Sequence, residues 1–401
     1  MLHLPKSPLT MRIYCCTPTN FCGDEDSFFS RESGLFCRTF QSLGIESKAI
    51  MLLPSYPQDA PDVLRASYKN LCDPEWWKSL YLDGLVLYSW AAPRYNAVAR
   101  AVHLAGVRSV VYMDTHGLIS PLGNPQAWWK FGWRPTWALA GNSFLKFYSF
   151  AKFLIDSSLL ITARRRVRHL ASSHITTLPT RAGVTWMKQE LAALGRSDLA
   201  EKVFYSPHPQ KILFNYNHAP KENLVVSVAR FRPEDWAQKR PDLLIKALNT
   251  FLKKKPDWKA IVVGNSASQL EKSLRLEPHK NIQFLDYLVH EELVKLYQKA
   301  KIGFWTSLWE GQQGTAAQAL CCGCSVVAPE SPLNNCFGDY VSTSSGRLAV
   351  KATPQSLAES LFLEVDSWQE GARNPAEISA FAKELFHAPS VAKRILSMIL
   401  K

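Results

Sequence analysis

No apolar run in the sequence is long enough to cross a bilayer, which argues against a helical membrane span. The opening residues Met1-Leu-His-Leu-Pro-Lys-Ser-Pro carry no signal-peptide core, and Met11 opens the first strand pattern. Residues 1–10 are therefore expected to be a loose extension, and the chain to be cytoplasmic. A disulfide framework is not expected from nine cysteines, an odd count with adjacent pairs at 15–16 and 321–322. Cys321, Cys322 and Cys324 lack a second CxxC pair and a nearby His, so they read as small buried hydrophobes and not as a metal site. The dinucleotide fingerprint GxGxxG is absent. Acids are scarce: 34 against 47 basic residues, a formal charge of +13. That excess calls for anionic partners: phosphorylated ligands, acidic membrane or nucleic acid. No nucleic-acid motif accompanies the charge, so nucleic acid is not expected.

What is present is an α/β alternation. A chain of 401 residues predicts two domains. In the first, Met11–Cys16 reads as a buried strand, Thr17–Ser33 as a polar loop holding Gly23, Gly34–Leu43 as a helix and residues 44–52 as a turn and strand. This opens like a Rossmann half. Residues 54–80 read as Pro-rich and irregular. Leu85–Tyr88 and Val107–Met113 are further strands around a helix, Asn96–Ala105. The second of these strands ends in Asp114-Thr115-His116-Gly117. Ligands of open α/β sheets bind beyond the carboxyl ends of the strands, so His116 is expected at a cleft. The alternative is a loop His bonded to Asp114. Asp24-Glu25-Asp26 reads as a cap or a solvated run, and no metal is expected.

Residues 116–170 crowd aromatics with eight Lys or Arg and one acid, Asp156. Asn142, Lys146, Ser149, Lys152 and Asp156 share one helix face, and the rest of the surface is apolar. Two readings stay open for 128–168. It is a helix lying in the interface of an anionic membrane, with Arg164, Arg165, Arg166 and Arg168 adding charge, or it is a core helix with a solvated basic turn. Residues 206–222 read as a linker between domains 1–205 and 223–377. The stretch 378–401 is expected to break near Pro389 and to cross back to the first domain.

The most informative stretch is Trp309-Glu310-Gly311-Gln312-Gln313-Gly314, between the strand Ile302–Trp305 and a small-residue helix from Thr315 to Cys322. Strand, glycine turn and helix N-terminus make an anion site of free N–H groups at the positive end of the helix dipole. This stretch resembles the donor signature of family 4 retaining glycosyltransferases (glycosyl transferases group 1), in which a Glu opens the turn and a second Glu follows eight positions on. Glu310 fits the first, and Gln318 stands at the second. The resemblance implies that Glu310 contacts donor sugar hydroxyls and Gln318 the ribose, less one charge-assisted bond worth roughly 1 kcal/mol. Gly311, Gln312, Gln313, Gly314 and Thr315 complete the implied donor turn. Without the resemblance, Glu310 is a helix-start acid.

Other residues match the family in order. Arg230 ends the strand Leu224–Ala229, and Lys239 precedes the next helix; the resemblance makes them the diphosphate grip. His116 matches a His beside the donor sugar. Gly23 sits where the family has a phosphate-facing glycine loop, and is otherwise a plain loop residue. Tyr287 and Leu288 fall where the nucleobase packs, or in the core. The implied fold is two Rossmann-like domains facing across a cleft, the GT-B arrangement. The implied activity moves a sugar from a nucleotide-sugar to a glycan or lipid-linked acceptor with retention, without cofactor or metal, at the inner face of the cytoplasmic membrane. The alternatives are a non-catalytic nucleotide-sugar or glycan-binding protein and a nucleotide-sugar epimerase.

Overall fold

The computed structural model describes residues 11–113, 120–133, 137, 141–330 and 336–401. Among these residues the strands form two sheets. The first has the order β3-β2-β1-β4-β5-β6-β7, from β1 (Ile13–Cys16), β2 (Ala49–Leu52), β3 (Val63–Ala66), β4 (Gly84–Leu87), β5 (Ser109–Tyr112), β6 (Ile175–Leu178) and β7 (Val203–Tyr205). The second has the order β10-β9-β8-β11-β12-β13, from β8 (Glu222–Val228), β9 (Lys259–Val263), β10 (Ile282–Leu285), β11 (Ala300–Phe304), β12 (Ser325–Pro329) and β13 (Gly346–Ala349). All of these pairings are parallel. Parallel strands carry helices on both faces, so their sequences are apolar throughout. Leu224-Val225-Val226 and Val326-Val327-Ala328 are buried at every position for that reason.

The helices that bear on function are α1 (Glu32–Ser42), α2 (Asn96–Leu104), α3 (Pro125–Phe131), α4 (Ser143–Leu159), α5 (Ile161–Ala171), α6 (Arg181–Ala193), α7 (His290–Lys299), α8 (Gly314–Cys321), α9 (Pro375–Phe386) and α10 (Ala388–Leu400). Asn142 caps α4 and Thr180 caps α6 through their side-chain oxygens. α10 belongs to the core of the first sheet: Val391, Ile395 and Ile399 pack with Ile13, Phe36, Val86 and Tyr112. No helix among the described residues is long and apolar enough to cross a membrane.

One local reading changes and two gain detail. Residues 54–80 contain strand β3, which pairs with β2 from Ala49↔Val63 to Leu52↔Ala66. Its central Arg65, ion-paired to Asp59 at 2.5 Å, masks the apolar pattern. The C-terminal break falls at His387 (ψ 139°), and Pro389 lies in the first turn of α10, where its missing N–H costs nothing. The Asp24 carboxylate accepts from the Ser27 backbone N–H at 2.6 Å and the Ser27 hydroxyl at 2.5 Å, and Glu25 pairs with Arg38. Among the described residues no group of three or more His, Cys, Asp or Glu is placed to hold a metal. All nine cysteines are free. Burial raises the Cys37 thiol to about 11.

Candidate active site

A cleft of about 610 Å³ lies beyond the carboxyl ends of β8, β9 and β10. One wall is Val228-Ala229-Arg230, Val263-Gly264-Asn265 and Asp286-Tyr287-Leu288; the other is the loop before α1, with Asp26 and Arg31, and Glu32 at the start of that helix. The start of α8 supplies Gln313, Gly314, Thr315 and Gln318, and the segment before β8 supplies Pro209 and Gln210. Gly264 makes the corner possible. Its φ is +148°, and a Cβ there would sit 1.6 Å from the Ala229 carbonyl oxygen. The Thr315 hydroxyl donates to the Val228 carbonyl at 2.9 Å, fixing the N-terminus of α8 at the end of β8. The first N–H groups of α8 thus face the same space as Arg230 and Lys239.

Lys239 and Glu310 form a buried ion pair, with side chains 6% and 7% exposed. The second Glu310 oxygen accepts from Gln238 Nε2 at 3.2 Å. The Gln313 amide, its nitrogen turned to the carboxylate, donates to Glu310 Oε1 at 2.8 Å and takes the Trp305 indole N–H on its oxygen at 3.0 Å. The Gln238 carbonyl accepts from Leu308 N and the Lys239 carbonyl from Thr306 Oγ1. The two loops are therefore laced together. Lys239 lines the cleft and Glu310 stands behind it, outside the lining.

The other sequence candidates divide. Arg230 is more than half exposed at the cleft mouth, 3.4 Å from Asp235. Gln318 Nε2 donates to Gln210 Oε1 at 3.0 Å, while the buried Gln318 oxygen has no protein partner among the described residues. Tyr287 is 73% exposed and is not a core residue. Leu288 both lines the cleft and packs on the second core. Gly311 is buried in the turn, off the cleft. Gln312 turns away to bracket His208, accepting its N–H at 2.6 Å and donating to its carbonyl at 3.1 Å. Gly23 is not a phosphate-facing glycine. Its N–H goes to Asp59 at 2.9 Å, and a Cβ would strike Val63 and Met51 at the base of the loop. His116 and Asp114 lie outside the described residues.

Several lining residues carried no sequence signal. Arg31, Glu32 and Ser27 also border a second cavity of about 500 Å³, walled by Phe21, Phe28, Tyr88 and Trp90 and shared with Arg230. Trp90 and Ala91 hold φ of 55° and 47° just beyond β4. Consecutive left-handed non-glycine residues are costly and concentrate at functional sites. His290, which lines the cleft, has its pKa lowered by burial and then by the Lys211 charge. Gln210 is placed by a bridge to His387, across the chain.

Structural likeness covers nearly the whole chain. Anabaena Alr3699/HepE, in complex with UDP and glucose, aligns with a TM-score of 0.64 at 16% identity over 98% of this chain and 100% of that one. Pneumococcal O-GlcNAc transferase GtfA, with UDP and GlcNAc, aligns at 0.62 and 10% identity over 98% and 99%. The lipopolysaccharide outer core galactosyltransferase WaaB, in its apo form, aligns at 0.58 and 13% over 97% and 99%. No curated protein matches the chain in sequence. The two facing sheets are those of the GT-B fold. Residues 210–370 match the family model of the glycosyl transferases group 1.

Proposed function

We propose that the protein is a retaining glycosyltransferase that moves a sugar from a nucleoside-diphosphate sugar to a glycan or lipid-linked acceptor. It works without metal or cofactor, on the cytoplasmic side of a membrane. The observation that carries the reading is the convergence of Arg230, Lys239 and the N-terminus of α8 on one cleft. As the glycosidic bond breaks, negative charge builds on the leaving diphosphate. Fixed cations and helix N–H groups there stabilise the transition state more than the ground state. The Gln318 oxygen can accept from a ribose hydroxyl, and Tyr287 offers a ring to the base. The aromatic cavity at Trp90 is the acceptor side. The UDP complexes of HepE and GtfA make uridine nucleotides the first donors to test.

The experiment is a thermal-shift panel of nucleoside diphosphates and their sugars, followed by product analysis. At a hundredfold excess over Kd a true ligand adds about 2.7 kcal/mol. The expected result is one nucleotide-sugar that stands out, and a product whose anomeric proton shows retention. A flat panel sinks the proposal. A second reading, a non-catalytic nucleotide-sugar-binding protein, draws on Gln318 and on the Glu310 carboxylate already saturated by Lys239, Gln238 and Gln313. Nucleotide binding with no transfer to any acceptor would favour it. An epimerase would turn over the nucleotide-sugar with no acceptor at all.

A further inference from the structure

One side of the second cavity is a strained turn. Trp90 and Ala91 follow β4 in the left-handed conformation, which must be held in place by its surroundings. Ser89 Oγ meets His169 Nε2 at 2.8 Å, and His169 Nδ1 meets Asn96 Oδ1 at 3.2 Å. Asn96 donates its amide N–H to the Arg165 carbonyl at 3.0 Å, which turns its oxygen towards the imidazole. Nδ1 therefore carries the ring proton, and Nε2 accepts from the Ser89 hydroxyl. Ser89 and His169 are fully buried, and burial lowers the His169 pKa to about 4, so the imidazole stays neutral. None of these three groups lines the cavity. What they fix is the place of Trp90, whose ring meets Tyr88 edge-on at 5.3 Å. Trp90 and the 45% exposed Phe21 give the cavity an open aromatic surface. Such a surface suits the apolar C–H face of a sugar ring, which is covered while the hydroxyls at its edge stay hydrated.

Charge narrows the kind of sugar. Among the described residues the charged side chains of the lining are Arg31, Glu32 and Arg230. Arg31 is exposed, and its side chain has no hydrogen bond or ion pair among the described residues. Its backbone is fixed, since its carbonyl accepts from Leu35 N at 2.7 Å at the start of α1. A guanidinium so placed offers a planar fork that matches a carboxylate. Glu32 beside it weighs against a dianion. Attraction to Arg31 and repulsion by Glu32 both grow in proportion to the ligand charge, whereas the cost of desolvation grows with its square. A monoanion keeps the forked hydrogen bonds at the smaller cost, and Glu32 is left to accept from sugar hydroxyls.

We propose that the acceptor is a carboxylated saccharide, with its ring against Trp90 and its carboxylate on Arg31. The inference rests on the reading of the neighbouring cleft as the donor site. Arg31 borders that cleft as well, so a ring held between Arg31 and Trp90 lies where the two spaces meet.

The probes are methyl glycosides in matched pairs: glucoside with glucuronide, galactoside with galacturonide, and mannoside with mannuronide. The members of a pair differ only in a carboxylate for a hydroxymethyl group, and the corresponding 6-phosphates supply dianions. Ligand-observed NMR titrations, with and without UDP, read each Kd. At least one uronide should bind about tenfold tighter than its neutral partner, and tighter than its 6-phosphate. Arg31→Gln should bring that pair level and leave the UDP Kd unchanged. Trp90→Leu should weaken both members of the pair alike. No preference for a uronide in any pair, a preference that survives Arg31→Gln, or tightest binding of a 6-phosphate would overturn the proposal. A UDP Kd weakened by Arg31→Gln would assign the guanidinium to the diphosphate and overturn it too. Uronide binding by a protein that takes up no UDP or nucleotide-sugar would refute the donor reading, and the acceptor role with it, while the carboxylate site stood.

Discussion

Lys239 and Glu310 are partners but not equivalents, and the difference is measurable. Lys239→Met leaves a carboxylate enclosed behind the cleft with only the Gln238 and Gln313 amides for company. Removing one member of a buried pair costs about 3–5 kcal/mol. At about 2–4 °C per kcal/mol for a domain of this size, Tm should fall by roughly 6–20 °C. Glu310→Gln instead leaves an ammonium that borders the cleft and can turn to water or phosphate. Its cost should be nearer that of one hydrogen bond to a charged group, about 1.5 kcal/mol, or roughly 3–6 °C. Scanning calorimetry, UDP titration and a transfer assay separate the two variants. Lys239→Met should lose the larger stability and most UDP affinity. Glu310→Gln should retain UDP affinity and lose transfer by about 100-fold or more. Equal losses of Tm, or near-normal transfer by Glu310→Gln, would refute this division of labour.

Arg230→Ala removes an exposed cation whose contact with Asp235 is 3.4 Å long; stability should stay within about 0.5 kcal/mol. UDP affinity should drop by about tenfold, or 1.4 kcal/mol, and an unchanged titration would remove Arg230 from the diphosphate site. Gly264→Ala, with its Cβ 1.6 Å from a carbonyl oxygen, should fail to give stable protein. Gly314→Ala meets nothing nearer than 3.6 Å and should fold normally; comparable expression and melting of both variants would contradict the corner geometry. Asp339 accepts the Arg181 N–H at 2.8 Å, and burial raises its carboxyl from 3.8 to about 6. The unfolded chain ionises first, so the stability that this group contributes is greatest below pH 4 and is lost as pH rises from about 4 to 6. Asp339→Asn keeps an acceptor without the charge; it should raise Tm at pH 8 and leave it unchanged near pH 4. Identical shifts at both pH values would show that titration is not the cause.

Much of the scaffold was legible because parallel strands are apolar at every position, as in Leu224-Val225-Val226, and because Gly311 and Gly314 punctuate the turn before α8. The partners of those residues were not. Glu310 meets Lys239 across 71 residues, and Gln312 meets His208 across 104. No local pattern encodes such pairs, and the sequence placed Gln312 on the ligand when the structure sends it to the backbone of the preceding segment. Gly23 looked like a ligand glycine because a missing side chain serves close packing and close ligand approach alike; Val63 and Met51 decide for packing. The periodicity of α4 showed a polar stripe but not which way it faced. That orientation is set by Trp128 and Ser157, which are bonded across 29 residues.

The return of α10 to the first sheet has a consequence for synthesis. Ile13, Val86 and Tyr112 shed their last water only when Val391, Ile395 and Ile399 arrive. After β7 leaves the ribosome, translation at 5–20 residues per second needs roughly 10–40 s to deliver them. For that interval the amino-terminal half is a sheet with one greasy flank uncovered. The nascent chain is therefore most in need of a chaperone over that interval, and the core of the second sheet, completed by Ile378, Ala382 and Phe386 of α9, closes only just before the first.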